Sequence, residues 1–251
     1  MLTLEFASLS DRGKVRLNNE DACGHIVPAT PAELAERGAV FVVADGMGGH
    51  RGGEIASRIA VRTILAFYAA DGEQNRSQAL AFAFREANKT IIEESVADSA
   101  LFGMGTTCTA LALHDGQAYF AHVGDSRGYM LRAGVIQQIT NDHSIVGEMV
   151  RSGIITDEDA RHHPKRNVIT RSLGAQEDTA ADVPTSPLAI QRGDVFMLCS
   201  DGLTTYLSDQ DIATILSENE PDEACRKMVA MANAAGGRDN ITVQVVVVRE
   251  T

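Results

Sequence analysis

No stretch of this 251-residue sequence is apolar for long enough to span a bilayer, and the longest run, Val245 to Val248 with its neighbours, falls far short. The first residues, MLTLEFASLSDRGK, carry Glu5 and Asp11 and lack both the basic start and the apolar run of a signal peptide. A soluble cytoplasmic protein is the expectation. Positive charge is also scarce. Lys+Arg 22 against Asp+Glu 34 gives a net charge of −12, which repels nucleic-acid backbones and anionic lipid, and no local basic patch reverses that field. Neither nucleic acid nor membrane is an expected partner. The only cysteines, Cys23, Cys108, Cys199 and Cys225, are scattered, two of them inside apolar runs, and read as buried free thiols rather than bridges or a zinc site. No internal repeat, low-complexity tract or Pro/Ser-rich linker divides the chain. With 44% apolar residues, one compact domain over residues 1–251, acting as a monomer, is expected.

Short β-rich runs dominate what is present: Leu2–Ser8, Ala39–Ala44, Thr107–Leu113, Gln117–Val123, Gly128–Arg132, Val135–Thr140, Asp194–Cys199 and Ile241–Val248. Two helical segments interrupt them. Residues Gly53 to about Ala69 place Ile55, Ile59, Thr63 and Phe67 on one stripe, and Leu80, Phe84, Ala87 and Ile91 repeat the pattern in the next segment. Shorter helical patterns follow near Asp209–Leu216 and Pro221–Ala234. Strands in close succession with helices grouped in pairs predict an α+β fold, an antiparallel β-sandwich covered by helices, rather than alternating βαβ units. Residues 143–177 are polar, hold His162, His163 and Pro164, and predict a partly helical excursion over the surface, with both histidines solvated in loops.

One arrangement recurs, a strand-like apolar run ended by an aspartate beside a glycine: FVVADG at Asp45, YFAHVGDS at Asp125 and VFMLCSDG at Asp201. Singly, each reads as a turn. Asp239 in GGRDN stands just before the last strand, and Glu20-Asp21 just before the run Ala22–Val27. If these strand ends converge on one edge of a sandwich, the carboxylates share a cleft that mutual repulsion forbids unless cations are bound. Oxygen-only donors suit Mg²⁺, Mn²⁺ or Ca²⁺, and the His/Cys spacing of zinc sites and the EF-hand loop are both absent. Two ions about 3.5–4 Å apart, sharing a carboxylate and an activated water, are a common solution to phosphate-ester hydrolysis. Arg16, four residues before Glu20, offers either a guanidinium fork for phosphate or an ordinary surface ion pair.

Other phosphatase and phosphate-binding chemistries are excluded. The glycines Gly46, Gly48, Gly49, Gly52 and Gly53 lack the lysine of a Walker motif and read instead as close backbone approach near the metals. No cysteine has an arginine six positions on, as a phosphocysteine mechanism needs. Met47 stands two residues after Asp45 where a haloacid-type phosphatase has aspartate.

Read in order, RLNNEDA (16–22), VVADGMGGH (42–50), GMGTTCTAL (103–111), HVGDSRGY (122–129), NDHS (141–144), NVITRSLG (167–174), CSDGL (199–203) and GGRDNITVQVV (236–246) resemble the bacterial branch of the PP2C-type (PPM family) metal-dependent protein serine/threonine phosphatases over nearly the whole chain. The resemblance implies a β-sandwich flanked by helix pairs, α-β-β-α, with a binuclear Mn²⁺ or Mg²⁺ centre at one edge. By position, Asp45 is similar to the carboxylate bridging both metals, Gly46 to a carbonyl ligand, and Asp201 and Asp239 to the other direct ligands. Glu20 resembles the acid holding metal-bound waters, Asp21 a supporting acid, and Arg16 the arginine that binds substrate phosphate. Asp125 is similar to the residue joining Asp201 at a third, weaker metal, and His143 to Gly174 to the flap beside the active site.

One departure has a chemical consequence. Eukaryotic members follow their Asp-Gly pair with a histidine proposed as general acid, whereas Met47 cannot donate a proton; a water on the third metal is the favoured source, with His50 as the other candidate. The implied partners are phosphorylated proteins, substrates of a serine/threonine kinase. Two alternatives stand beside that reading: a dedicated phosphatase of an anti-sigma-factor antagonist, and a non-catalytic phosphoprotein-binding module. Retention of Arg16, Glu20, Asp45, Asp201 and Asp239 together argues against the second.

Overall fold

The computed structural model describes residues 2–48, 52–70 and 75–250. In chain order it begins with β1 (Leu2–Asp11), β2 (Asp21–Ile26), α1 (Pro31–Arg37), β3 (Ala39–Met47), α2 (Gly52–Ala70) and α3 (Arg76–Ala97). Then follow β4 (Gly105–Thr106), β5 (Cys108–His114), β6 (Gln117–Val123), β7 (Arg127–Arg132), β8 (Val135–Gln138), α4 (Ile145–Arg151) and α5 (Asp157–His162). The chain closes with β9 (Leu188–Ala189), β10 (Val195–Cys199), α6 (Asp201–Thr204), α7 (Asp209–Glu218), α8 (Pro221–Ala235) and β11 (Ile241–Glu250). One sheet has the order β1-β11-β10-β7-β8 and the other β2-β3-β5-β6-β9, with β4 paired to β3. All these pairings are antiparallel.

Side-chain alternation builds four layers. In β3, Val40, Val42 and Ala44 pack with α2 and α3, whereas Ala39, Phe41 and Val43 face the other sheet. In β11, Ile241, Val243, Val245 and Val247 pack with α7 and α8, and Val246 and Val248 face the inter-sheet core. Strands buried on both faces carry continuous apolar runs, which is why these were visible as strands. The result is the expected antiparallel sandwich flanked by helix pairs. The inner face of β11 changes character along its length: Val248 and Val246 are followed by Gln244 and Thr242, so the inter-sheet space turns polar towards one edge.

Three expectations need correction. Of the expected α2 stripe, Ile59 is buried and Ile55 and Phe67 pack against the core, but Thr63 is only partly covered and the fully buried line runs through Ala56, Ala60 and Ile64, because the helix turns its small residues to the sheet. His162 is the last residue of α5 rather than part of a loop. The excursion over residues 143–177 is helical and exposed in its middle, but its ends are not surface. His143 is 2% exposed, Leu173 is fully buried, and Asn88 of α3 accepts the Gly174 N–H (2.7 Å) and donates to the Gln176 carbonyl (2.8 Å). Helix α1 carries a signature that pattern reading passed over: Thr30 caps the Glu33 N–H (3.2 Å) and Pro31 opens the first turn. The four cysteines are free thiols, three buried and Cys23 partly so. Among the described residues no helix is long and apolar enough to cross a membrane.

Candidate active site

Antiparallel pairing brings the predicted acids to one edge. β3 ends where β2 begins, and Asp45 stands in register opposite Asp21. β10 pairs with β7 up to Cys199 and Arg127, and just beyond that last pair the chain carries Asp201 and Asp125 close enough for the Asp201 charge to act on Asp125. β10 also ends where β11 begins, beside Asp239. The two sheets meet at Asp21, whose Oδ2 accepts from Thr242 Oγ1 (2.6 Å) and Ser200 Oγ (2.8 Å) of the opposite sheet.

Each acid sits on backbone held from several sides. The Asp45 N–H donates to Thr107 Oγ1 (3.0 Å), and its carbonyl accepts from the Thr107 N–H and Thr106 Oγ1, both at 2.9 Å. The Gly46 N–H donates to the Glu20 carbonyl (3.2 Å), which also accepts from Ser57 Oγ (2.6 Å). A Cβ on Gly46 would lie 2.1 Å from the Gly53 carbonyl oxygen, and one on Gly53 2.9 Å from Glu20 Oε2. Only glycine at both positions lets the start of α2 close on the Asp45–Gly46 backbone beside Glu20. A Cβ on Gly202 would sit 2.0 Å from the Asn240 carbonyl oxygen, so glycine there lets α6 carry Asp201 up to the Asp239–Asn240 turn.

The donor set was tested for its fit to cations. Every candidate donor is oxygen, as hard divalent ions require. Asp125 Oδ1 and Asp21 Oδ1 are buried without a hydrogen-bond partner. Among the described residues no group of three or more His, Cys, Asp or Glu lies together closely enough to hold a metal ion as it stands. The fit therefore rests on donor chemistry and the unpaired oxygens. Electrostatics point the same way. Burial, together with Asp21 and Asp201, raises the Asp45 carboxyl well above the usual range, and burial followed by Asp201 does the same to Asp125. Burial pushes Asp21 up to about 7 although Thr242 and Ser200 donate to it. Burial and the Asp239 charge push Asp201 up to about 6. Carboxylates raised by one another are the groups a bound cation would return to the ionised form. Glu20 is raised by burial, with Arg16 pulling the other way.

Arg16 is drawn into the cluster, Nη2 lying 2.8 Å from Asp239 Oδ2, with the two side chains 49% and 35% exposed. A guanidinium this open can exchange the carboxylate for a phosphate. Asp125 and Asp201 stand at the floor of a cleft of about 600 Å³ between the α4–α5 excursion and the start of α7, whose wall includes Arg127, Arg161 and Arg166. His50 lies outside the described residues.

Sequence reasoning missed the polar residues that hold the acids. Asn240 accepts the Glu20 N–H (2.8 Å) and donates to the Arg12 and Asn18 carbonyls (both 2.9 Å), tying the Arg16 loop to the edge. Thr107 Oγ1 joins the Asp45 N–H to Ser126 Oγ (2.7 Å), linking the turns that carry Asp45 and Asp125. The position of Asn240 directly after Asp239 was the available signal, since an amide can both accept and donate.

The family described as Protein phosphatase 2C matches residues 12–241. The chain is 38% identical over 245 residues to the serine/threonine phosphatase Stp of Listeria monocytogenes, covering 94% of this chain and 93% of that one. Among solved structures, the Mycobacterium tuberculosis serine/threonine phosphatase PstP/Ppp superposes with a TM-score of 0.88 at 35% identity, covering 98% and 99% of the two chains. The catalytic domain of PstP in complex with two manganese ions gives a TM-score of 0.86 at 34% identity, covering all of both chains.

The raised carboxyl groups give a measurable sign. Asp21, Asp45 and Asp125 hold protons more tightly folded than unfolded, so their stabilisation is lost as pH climbs through the folded values. Below 6.5 the buried imidazoles of His122 and His143, lowered by burial, act with the opposite sign, so the comparison belongs above that value. The melting temperature of chelated protein should fall between about pH 6.5 and about pH 8, and saturating Mn²⁺ should shrink the fall. A melting temperature that rises over this interval would contradict the shared cluster.

Proposed function

Because the chain belongs to the protein phosphatase 2C family and is a bacterial-type protein serine/threonine phosphatase, we propose that it hydrolyses phosphoserine and phosphothreonine with two Mn²⁺ or Mg²⁺ held by this edge. The supporting observation is the convergence of Asp45, Asp201 and Asp239, from three strand ends, on one oxygen-only edge, where Asp201 and Asp239 add to the burial that raises Asp45, and Asp239 to that which raises Asp201. Asp45 would bridge the ions, with Asp201, Asp239 and the Gly46 carbonyl completing the direct ligands and Glu20 holding their waters. Asp125 and Asp201 would hold a third. When bound, the ions supply an activated water as nucleophile and offset charge on the phosphoryl oxygens.

The chain's own residues then bind and orient the phosphoester. Arg16 leaves Asp239 for the phosphate, where its fork fixes two oxygens. The flap, residues 143–177, forms one wall of the cleft that receives the peptide around the phosphorylated residue, and phosphorylated targets of a serine/threonine kinase are the substrates this arrangement suits. Residues 1–251 act as one catalytic domain. Against the pseudophosphatase reading stands the retention of Arg16, Glu20, Asp45, Asp201 and Asp239 together.

Hydrolysis of a phosphothreonine peptide should vanish in EDTA and return with Mn²⁺, and Asp239→Asn should raise the Mn²⁺ needed for half-maximal rate. Arg16→Ala should keep the metal requirement and mainly raise the Michaelis constant, a bidentate charged contact being worth roughly 1.5–3 kcal/mol. Full activity in exhaustively chelated protein would refute the proposal.

Met47, directly after Gly46, leaves the leaving-group oxygen without a donor there, so its protonation is assigned to the Asp125 side of the cleft. Asp125→Ala should lower turnover on phosphoserine peptide by about 10²–10⁴-fold and much less on p-nitrophenyl phosphate, whose leaving group is stable as an anion. Equal losses on both substrates would remove Asp125 from that role.

A further inference from the structure

The turn that carries Asp125 is braced at every residue but one. Ser126 is held by its Oγ to Thr107 (2.7 Å), and its carbonyl lies 3.1 Å from Thr109 Oγ1. Arg127 forks onto Asp142 through Nε and Nη2, at 3.0 and 2.7 Å. Asp125 itself is 7% exposed, and its Oδ1 has no partner. The remaining brace falls on Gly124 and comes from the residue directly after Asp142. His143 Nδ1 accepts the Gly124 N–H (3.0 Å), and the His143 backbone N–H donates to the Gly124 carbonyl (2.6 Å). That carbonyl, part of the peptide on which Asp125 hangs, also accepts from His122 Nε2 (2.9 Å), and the two imidazole rings lie 4.8 Å apart.

These contacts settle the tautomer. Nδ1 of His143 faces a donor and carries the lone pair, so Nε2 carries the proton and donates to Asp182 Oδ2 (3.0 Å). Asp182 is fixed in turn by Arg171, at 2.5 Å, and by backbone pairing with His122. Only glycine fits at position 124: its φ is +109°, and a Cβ there would lie 2.5 Å from Thr107 Cβ. The His143 imidazole thus fixes the Val123–Gly124 peptide through its N–H, while the Gly124–Asp125 peptide is fixed through its carbonyl by the His143 backbone N–H and His122 Nε2, so Gly124 is held on both sides.

We propose that His143 is a positioning residue for turnover, aiming the unpaired carboxylate of Asp125 into the cleft by holding Gly124, the residue before it. Its imidazole fixes the peptide on the far side of Gly124 and its backbone N–H the peptide on the near side. This rests on the reading of Asp125 as the group governing leaving-group protonation. The imidazole touches neither substrate nor reacting atoms, since its two nitrogens are spent on Gly124 and Asp182. Its effect is on the direction of a neighbouring side chain, where a displacement of about an ångström can cost about 10²-fold.

Two substitutions in the Mn²⁺-loaded protein separate positioning from packing. In His143→Asn the amide oxygen stands where Nδ1 stood and still accepts the Gly124 N–H, but the shorter side chain gives up Asp182. In His143→Gln the longer side chain keeps a donor near Asp182 and gives up the acceptor for Gly124. The asparagine variant should turn over phosphoserine peptide at least about tenfold faster than the glutamine variant, with equal Michaelis constants and a smaller gap on p-nitrophenyl phosphate. In an Asp125→Ala background the gap between the two should close, because nothing remains to be aimed. An equal gap in both backgrounds, equal rates for the two variants, or glutamine outperforming asparagine would overturn the inference while leaving the role of Asp125 standing. Wild-type turnover in Asp125→Ala alone would instead sink the reading of Asp125, and this inference with it.

Discussion

Repulsion among acids is the constraint from which the rest of the molecule follows. Asp21, Asp45, Asp125, Asp201 and Asp239 come from five strand ends in two sheets, and the buried Asp21, Asp45, Asp125 and Asp201 are each raised first by burial and then by at least one of the other acids. A fold gains nothing in stability from such a cluster, and its members would be the first to be replaced if stability alone mattered. The sandwich tolerates it because the cost is confined to one edge. Towards the other end, the same inner faces carry Phe41, Val43, Phe196, Val246 and Val248, where apolar burial is undisturbed.

Hydrogen bonds to the backbone, rather than to the carboxylates, keep the acids in place. Thr106 and Thr107 hold the Asp45 peptide, Asn240 holds the strand start at Glu20, and His143 with His122 holds the two peptides of Gly124, just before Asp125. This division leaves carboxylate oxygens free for cations while fixing where they point, which is what preorganised electrostatic catalysis requires. Asp21 differs: one oxygen is taken by two hydroxyls, which suits a supporting acid rather than a direct ligand. The excursion over residues 143–177 is built on the same scaffold. His143 at its start bonds the Asp125 turn, and Leu173 near its end pairs with Thr106, whose hydroxyl donates to the Asp45 carbonyl. The wall of the cleft and the acids at its floor share backbone supports.

The strands and the acids at their ends were legible because a strand buried on both faces is a continuous apolar run, and its sudden end in Asp-Gly is a local event. The family likeness placed Arg16, Glu20 and Asp125 as well, which spacing alone left open. The supports were not legible, because each joins residues far apart in sequence. Nothing near Thr107 announces Ser126, nothing near Asn240 announces Glu20, and His143 read as the start of a solvated excursion because its neighbours are polar. The α2 stripe was only partly legible for a related reason. Ile59 does face the core, but the sheet lies close enough that Ala56 and Ala60, which pattern reading passed over, are more fully buried than any large residue of the expected stripe.

The central claim is that the carboxylate edge exists to hold a pair of divalent ions bridged by Asp45. Anomalous scattering from a crystal grown with Mn²⁺ tests it most directly. The account predicts two manganese peaks about 3.5–4 Å apart with Asp45 touching both and Asp201 and Asp239 completing the direct protein carboxylates. No peak at this edge, or peaks that leave Asp45 uncoordinated, would contradict it.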